Sequence, residues 1–584
     1  MFRLFVLILY AYRSFDVKGR FSTEWPAARL PINKKERNIM KKRIISLLVC
    51  ICLILALAAG CGGDKVKDTD PSDTGNAADT GAVVKPEDDG GKTVSDGGIE
   101  AGEIDENVTS ARDSLIVGGA AEPGTLDPIN QQSMIVSQMA HILYNTLFTL
   151  DANYNAVGDL VETYENVSDN EWHFKLYEGV KFHDGTDLTT QDVKDTLEMV
   201  RTNEYSGSYV ASIDSIEIVD DYSFTIITKY PDTSLLSNFC QAGTSILPSE
   251  KLEEGWDFNA KPCGSGPYKF VEWSKGDSLT FERFDDYFKG TPFITNLTWR
   301  FIPESSSRTI ALEAGEIDFI FDPATIDLAA LEAEDGITVQ GVASMNLMQL
   351  AMNYEALDWW QNNDVRLAFS YAIDREALVA AALNGYGYPA YGVAPNGLAG
   401  ENLTHSVMAR DLDKAKELLA SSGYDPSELS FTLTTVEGER SLVAQVIKSN
   451  LADLGIDVTI ELNESATTIS DSSLGNFEGY IQGIANTSAI DYIRRLYHSD
   501  QIGAQNCSRY HSNELDAEIS RVASILDPDE RAQATYDLEG ELAELCIYVP
   551  LYTDMAFRAY NSDLAGVNFN GAYFTQYHLF YWAA

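Results

Sequence analysis

The chain has 584 residues, with 42 Lys or Arg against 88 Asp or Glu and a formal net charge of −46. That balance repels nucleic acid and anionic lipid head groups, which excludes a nucleic-acid-binding or polybasic membrane-surface role. Hydrophobic residues make up 45% of the chain, enough for packed cores, and the length asks for more than one of them.

Residues 1–39 hold one apolar patch, 4–12, too short to span a bilayer. Lys35-Glu36-Arg37 reads back as a purine-rich ribosome-binding sequence just ahead of Met40, so 1–39 are expected to be an upstream extension added by a misplaced start codon. Met40-Lys41-Lys42-Arg43, an apolar run over 44–59 and Gly60-Cys61 then form a lipoprotein signal over 40–60, with Cys61 as the lipidated first residue of the mature chain. A plain transmembrane anchor is the competing reading, but the run falls short of the roughly 20 residues a bilayer core needs and has no basic flank after it. The expected location is the extracellular face of the cytoplasmic membrane, at the cell surface or in a periplasm, lipid-anchored.

From 62 to 112 there are 13 acids, five bases and no aromatic residue, a composition that cannot bury enough surface to fold. Residues 61–113 are read as a disordered acidic tether with a root-mean-square reach of roughly 40 Å. Asp68, Asp70 and Asp73 do not make a calcium loop, because the position that needs glycine in an EF-hand turn is Asp73.

The globular part begins near Ser114. Cys50 and Cys52 leave with the signal, so Cys240, Cys263, Cys507 and Cys546 remain. Either two sequence-local disulfides, 240 with 263 and 507 with 546, or four reduced buried thiols fit, and no CxxC spacing suggests metal or redox chemistry. Trp172, Phe174 and Leu176 alternate as a strand, and Gly179 and Asp184-Gly185 supply turns around Val180 and Phe182, which reads as a hairpin. For His183 and Asp184 this makes hairpin structure the plain reading. Thr189-Thr190-Gln191-Asp192 start a helix with Val193, Leu197 and Val200 on one face. Asp374 is placed to cap a helix beginning at Arg375, and Leu412, Ala415, Leu418 and Leu419 line another that Gly423 closes. Leu429, Phe431 and Leu433, then Leu442, Val446 and Ile447, then Ile456, Val458 and Ile460 spell a βαβ unit with a parallel pair. The second half is therefore α/β.

Enzyme signatures are missing: seven His residues form no HExxH pair, and there is no GxSxG and no GxxxxGK[ST] loop. Trp359-Trp360 and the aromatic stretch at 386–391 fit either a core or a surface that stacks on a ligand.

Five segments follow one another in order: Gly124-Thr125-Leu126-Asp127-Pro128; Phe174-Lys175-Leu176-Tyr177-Glu178-Gly179-Val180-Lys181-Phe182-His183-Asp184-Gly185; Gly264-Ser265-Gly266-Pro267-Tyr268; Leu312-Glu313-Ala314-Gly315-Glu316-Ile317-Asp318; and Val365-Arg366 through Ala372-Ile373-Asp374-Arg375. From about 115 to the C-terminus the chain resembles the extracellular solute-binding proteins of family 5, the dipeptide- and oligopeptide-type receptors of ABC importers. The resemblance implies an α/β, class II periplasmic-binding-protein-like fold, two lobes with a hinge and an extra domain on the first lobe. On this chain lobe I takes 114–155, 265–365 and 550–584, the extra domain 156–264 and lobe II 366–549, with crossing strands near Asn353 and Pro550.

By the same resemblance the protein is not an enzyme, needs no cofactor or metal, and works as a monomer. It hands a small solute, a short peptide first, to an ABC permease pair. The implied ligand-binding positions are Gln132, Ser133 and Met134; Tyr205, with Tyr209 close behind; and Gly483, Ile484, Ala485, Asn486 and Thr487. Peptide receptors of the family carry an Asp shortly after that glycine to pair with the ligand's amino group, and here Asn486 stands instead. Asp491, the next acid, reads as a helix cap. Oligosaccharides, opines and metal chelates therefore stay open as ligands, as does a sensing role without transport; an exported hydrolase is the rival class.

Overall fold

In the computed structural model, residues 108–584 are described, apart from 131–132, 152–153, 396–397, 399–408, 487, 573 and 584. The signal at 40–60, Cys61 and most of the tether lie outside the described residues.

The βαβ unit forms as its periodicity predicts. Strands Phe431–Thr435 and Val458–Leu462 are parallel neighbours, and helix Glu439–Ala452 joins them. The helix is turned by one residue from the expected face: Val443, Ala444, Ile447 and Leu451 are buried while Leu442 is exposed. Helix Leu412–Ser422 ends at Gly423 with φ 84, a left-handed conformation that glycine adopts at little cost. Asp374 caps helix Arg375–Ala382 by accepting the Ala377 amide at 2.9 Å. Thr189 and Asp192 form a capping box at the start of helix Thr190–Arg201.

The hairpin differs from its expected pairing. Strand Glu171–Leu176 forms, but its neighbours are Val161–Ser168 and Ser223–Thr228, within a four-stranded sheet completed by Ile213–Ile218. Gly179, at φ 77, turns the chain away, and residues 180–188 close on themselves through the Lys181–Asp187 bridge. The structural reading of the turn holds: Asp184 accepts from Thr186 and pairs with Lys251, and the His183 ring bonds the Gly266 carbonyl.

The main sheet has 11 strands. Across it run Val458–Leu462, Phe431–Thr435, Gly479–Ala485, Ile337–Met352, Tyr548–Asn561, Phe319–Phe321, Ser114–Gly119, Asn296–Phe301, Ser278–Arg283 and Tyr268–Ser274, with Gly387–Pro389 pairing on Tyr548–Asn561. Each half carries a parallel group, Ser114–Gly119 with Asn296–Phe301 and Phe319–Phe321 in one, Phe431–Thr435 with Val458–Leu462 and Gly479–Ala485 in the other. The halves are joined by two long antiparallel strands, Ile337–Met352 and Tyr548–Asn561, whose register breaks between Ala343 and Leu347. Such a bulge bends a strand and re-aims its side chains.

Side chains of Ile337–Met352 alternate between two cores, as the strand period requires. Met348, Leu350 and Met352 pack with Phe369, Phe431 and Ile447, while Met345, Leu347 and Ala351 pack with Tyr492, Leu496 and Leu542. Trp359 and Trp360 belong to the first of these cores, 7% and 0% exposed, and so do not present a stacking surface to a ligand.

Cys240, Cys263, Cys507 and Cys546 are all free and buried, so neither of the two possible disulfides is present. Cys240 and Cys263 pack in one core, with Cys240 donating to the Leu236 carbonyl, while Cys507 packs in the core around Tyr492 and Cys546 donates to the Arg366 carbonyl in a third. Burial pushes the Cys263 and Cys546 thiols up to about 11, which keeps them protonated and inert.

Candidate functional site

In an α/β sheet the carboxyl ends of parallel strands leave unpaired chain ends and turns where polar groups can collect. Here the carboxyl edges of both half-sheets converge on one residue of the joining strands, Asp554, at the centre of Tyr548–Asn561. From the first half comes Asp322, directly after Phe319–Phe321, and its charge acts on Asp554. From the second half comes Glu439, in the first turn of helix Glu439–Ala452, which is likewise within electrostatic reach of Asp554.

Each carboxylate is held in place by its surroundings. Asp554 accepts from the Ser344 hydroxyl and, at 3.1 Å, from the Asn346 amide, both on the bulge of Ile337–Met352. Asp322 has φ 42, a left-handed conformation uncommon for a residue with a side chain, and its Oδ1 accepts the Phe557 amide at 3.1 Å and Arg558 Nη1 at 3.2 Å. Arg558 is fully buried beneath it. Glu439 accepts from the Tyr552 hydroxyl. Arg440 lies over Gly483: a Cβ on that glycine would stand 2.4 Å from Met348 Sδ and 3.3 Å from Arg440 Nη2, so any larger residue would displace the side chains that three elements bring together here.

Desolvation between the half-sheets raises the carboxyl of Asp554, and the negative charge of Asp322 adds to it, against the hydrogen bonds from Ser344 and Asn346. Desolvation and then Asp554 raise Glu439, although its side chain keeps access to solvent; Tyr552 and Arg440 oppose the shift.

The predicted ligand positions fall into two groups. Ser133 is the N-cap residue of helix Met134–Leu143, and Met134 and Tyr205 are exposed. The structure brings these two segments together: Asn203 Nδ2 donates to Asn130 Oδ1 at 2.6 Å and Ser206 Oγ to the Ile129 carbonyl at 2.7 Å. Gly483 sits beside Asn346 and Arg440, in the group around Asp554. Ile484 packs against the core around Tyr492, Ala485 is exposed, and Asn486 accepts the Ser488 amide at 3.2 Å. Gln132 and Thr487 lie outside the described residues.

The cap of helix Ala489–Tyr497 is Ser488, which accepts the Asp491 amide, so Asp491 occupies the first turn and is not the cap. Arg495 of this helix is within electrostatic reach of Tyr209. Sequence reasoning missed Asp322, Ser344, Asn346, Glu439, Arg440, Tyr552 and Asp554. The available signal was an acid in the middle of the mostly buried, aromatic-rich run Tyr548–Asn561.

Hydrogen bonds also cross between the halves away from the joining strands. Asn384 Nδ2 donates to Thr325 Oγ1 and the Tyr386 hydroxyl to Glu332, both at 3.1 Å. Thr233, beyond the four-stranded sheet, donates to the Ala523 carbonyl at 2.8 Å. Among the described residues no group of His, Cys, Asp and Glu has the arrangement to hold a metal ion, and no helix is long and apolar enough to cross a membrane.

The family described as "Bacterial extracellular solute-binding proteins, family 5 Middle" matches residues 155–504. The oligopeptide-binding protein AppA of Bacillus subtilis is 28% identical over 494 residues, covering 78% of this chain and 89% of AppA. The glutathione-binding protein GsiB of Pectobacterium atrosepticum is 30% identical over 373 residues, 62% of this chain and 71% of GsiB. The solved structure of B. subtilis AppA in complex with a nonapeptide superposes with a TM-score of 0.66 at 26% identity, covering 82% of this chain and 100% of that one. Two half-sheets joined by crossing strands are the two-lobe type II architecture of these proteins, and the chain belongs to the bacterial extracellular solute-binding proteins of family 5.

Proposed function

We propose that this protein is a lipid-anchored extracellular receptor that captures a short peptide between its lobes and delivers it to the permease pair of an ABC importer. The observation that carries the reading is the convergence of both sheet edges on Asp554 at the crossing strands, in a chain related over most of its length to an oligopeptide-binding protein. Lobe I is assigned to 114–155, 265–365 and 550–584, the extra domain to 156–264 and lobe II to 366–549. The four-stranded sheet, which lies wholly within 156–264, supports that division. Capture then proceeds by closure of the lobes, and the working form is a monomer without cofactor or catalysis.

Freshly purified protein examined by native mass spectrometry is expected to carry a ladder of masses that fragment as peptides. A single homogeneous non-peptide mass would overturn the peptide assignment and favour a second reading, a non-peptide solute, for which Asn486 in place of a carboxylate is the supporting observation. The anchor is tested separately. The mature protein is expected to begin at lipid-bearing Cys61 and its precursor at Met40, and Cys61→Ser is expected to shift the protein from the membrane fraction to the soluble one. Retention of that variant in the membrane would contradict a lipid anchor at Cys61.

A further inference from the structure

Of the three carboxylates at the floor of the cleft, two have a cation at hand. Asp322 is paired with Arg558, and Glu439 has Arg440 within electrostatic reach. Asp554 differs. Its hydrogen-bond partners are a hydroxyl and a carboxamide, Ser344 and Asn346, and among the described residues no ion pair reaches it. Asp322 and Glu439, which act across this space, carry its own sign, and the cation nearby, Arg440, acts on Glu439 and Tyr552 and makes no ion pair with Asp554 among the described residues. A half-buried carboxylate among like charges, with only neutral donors, lacks the counter-charge that ordinarily offsets its desolvation.

We propose that Asp554 is the counter-ion for a positively charged group of the ligand, so that the cleft selects solutes bearing an ammonium or guanidinium group. This inference rests on the peptide-receptor reading and narrows it. The placement suits the role, because Asp554 lies on one of the two strands that join the half-sheets, and Asp322 and Glu439 follow strands of different halves. A cation seated at Asp554 meets one carboxylate of each lobe and relieves the repulsion that closure imposes on all three. A purely architectural role, in which Asp554 does no more than order the bulge through Ser344 and Asn346, predicts no dependence of affinity on ligand charge.

A peptide can bring its charge at the amino terminus or on a basic side chain, and the test separates these sources. Three probes are titrated calorimetrically into ligand-stripped protein: trialanine amide with a free amino terminus, its N-acetylated neutral counterpart, and N-acetyl-lysyl-alanyl-alanine amide. At least one cationic probe is expected to bind about 10- to 100-fold tighter than the neutral one, the range of a hydrogen bond to a charged group. Preference for the free terminus marks an α-amino site, and preference for the lysyl probe a side-chain site. Asp554→Asn, which keeps the shape and can still bond Ser344 and Asn346, is expected to abolish the preference.

Equal binding of all three probes to the unmodified protein overturns the charge inference and leaves the peptide reading standing. A preference that survives Asp554→Asn also overturns the assignment to Asp554. Binding of none of the three overturns the peptide reading itself and the inference with it. Comparison of the probes on the unmodified protein decides the charge dependence even if the variant does not fold.

Discussion

Lys289→Met is expected to cost about 3–5 kcal/mol of folding stability, measured as the shift in urea unfolding, because it leaves a buried carboxylate without its cation. Asp159, 9% exposed, accepts from Lys289 Nζ, from Asn145 Nδ2 at 3.0 Å and from the Thr146 amide at 3.1 Å. These bonds tie the end of helix Met134–Leu143 to the turn that follows Ser278–Arg283, beside a polar cavity of about 50 Å³ that His141, Tyr287 and His578 also line. Burial alone would raise the Asp159 carboxyl, but the charge and hydrogen bond of Lys289, together with the bonds from Asn145 and Thr146, outweigh it and hold the group below its ordinary value.

The pH dependence follows from that direction. In the unmodified protein Asp159 contributes stability that is present above its unfolded value and lost as pH falls through its lower folded value. Without Lys289, only the bonds from Asn145 and Thr146 oppose burial, so the carboxyl shifts upward and the folded state gains by taking up a proton. The deficit of Lys289→Met is therefore expected to shrink as pH falls from 7 towards 4. A loss below about 1 kcal/mol at pH 7, as for a solvent-screened surface pair, would show that water in the cavity already supports Asp159.

Arg375→Met is expected to destabilise by about 4 kcal/mol and Arg375→Lys by about half as much, since a single ammonium cannot replace the guanidinium fork. Arg375 is 2% exposed and donates to the carbonyls of Pro550 at 2.8 Å, Ser370 at 3.1 Å and Ile373 at 3.4 Å and to the Ser370 hydroxyl at 3.0 Å. Burial lowers it only to about 10, so it stays charged at neutral pH. Truncation orphans the Pro550 carbonyl at the start of the second crossing strand and removes donors from the Ser370 and Ile373 carbonyls, and each buried acceptor without a donor costs about 1–3 kcal/mol. Arg366 does similar work nearby, donating to the carbonyls of Trp360, Leu545 and Cys546. Equal stability of Arg375→Met and the unmodified protein would refute this account. So would a loss at Arg375→Lys as large as at Arg375→Met.

These two arginines show why the family was legible in the sequence while the candidate site was not. The five motifs are made of residues that hold the backbone together. Gly264 and Gly266 pass so close to Leu143 that a Cβ would meet its backbone at 2.2 and 2.5 Å. Asp318 accepts the Ile116 amide at 2.8 Å, joining two strands, and Asp374 caps a helix. Such residues answer to geometry that the whole fold shares, so they keep recognisable spellings. The candidate site is assembled from positions 322, 344, 346, 439, 440, 552 and 554, scattered through ordinary strands and turns. Of the implied ligand positions, Gly483 lies in that group, while Ser133, Met134 and Tyr205 lie in another, by the 129–134 and 203–206 segments.

What the sequence determined by itself was decided within a few residues at a time. Helix caps at Thr189 and Asp374, the stop at Gly423 and the βαβ periodicity of 429–460 depend on hydrogen bonds and burial patterns that neighbours in the chain settle between themselves. The tertiary structure alone decided which strands flank Glu171–Leu176, that four cysteines lie unpaired and buried, and that Asp322 and Glu439 come within electrostatic reach of Asp554. Those outcomes depend on distances through space between groups up to hundreds of residues apart, and electrostatic and packing energies follow those distances rather than separation along the chain.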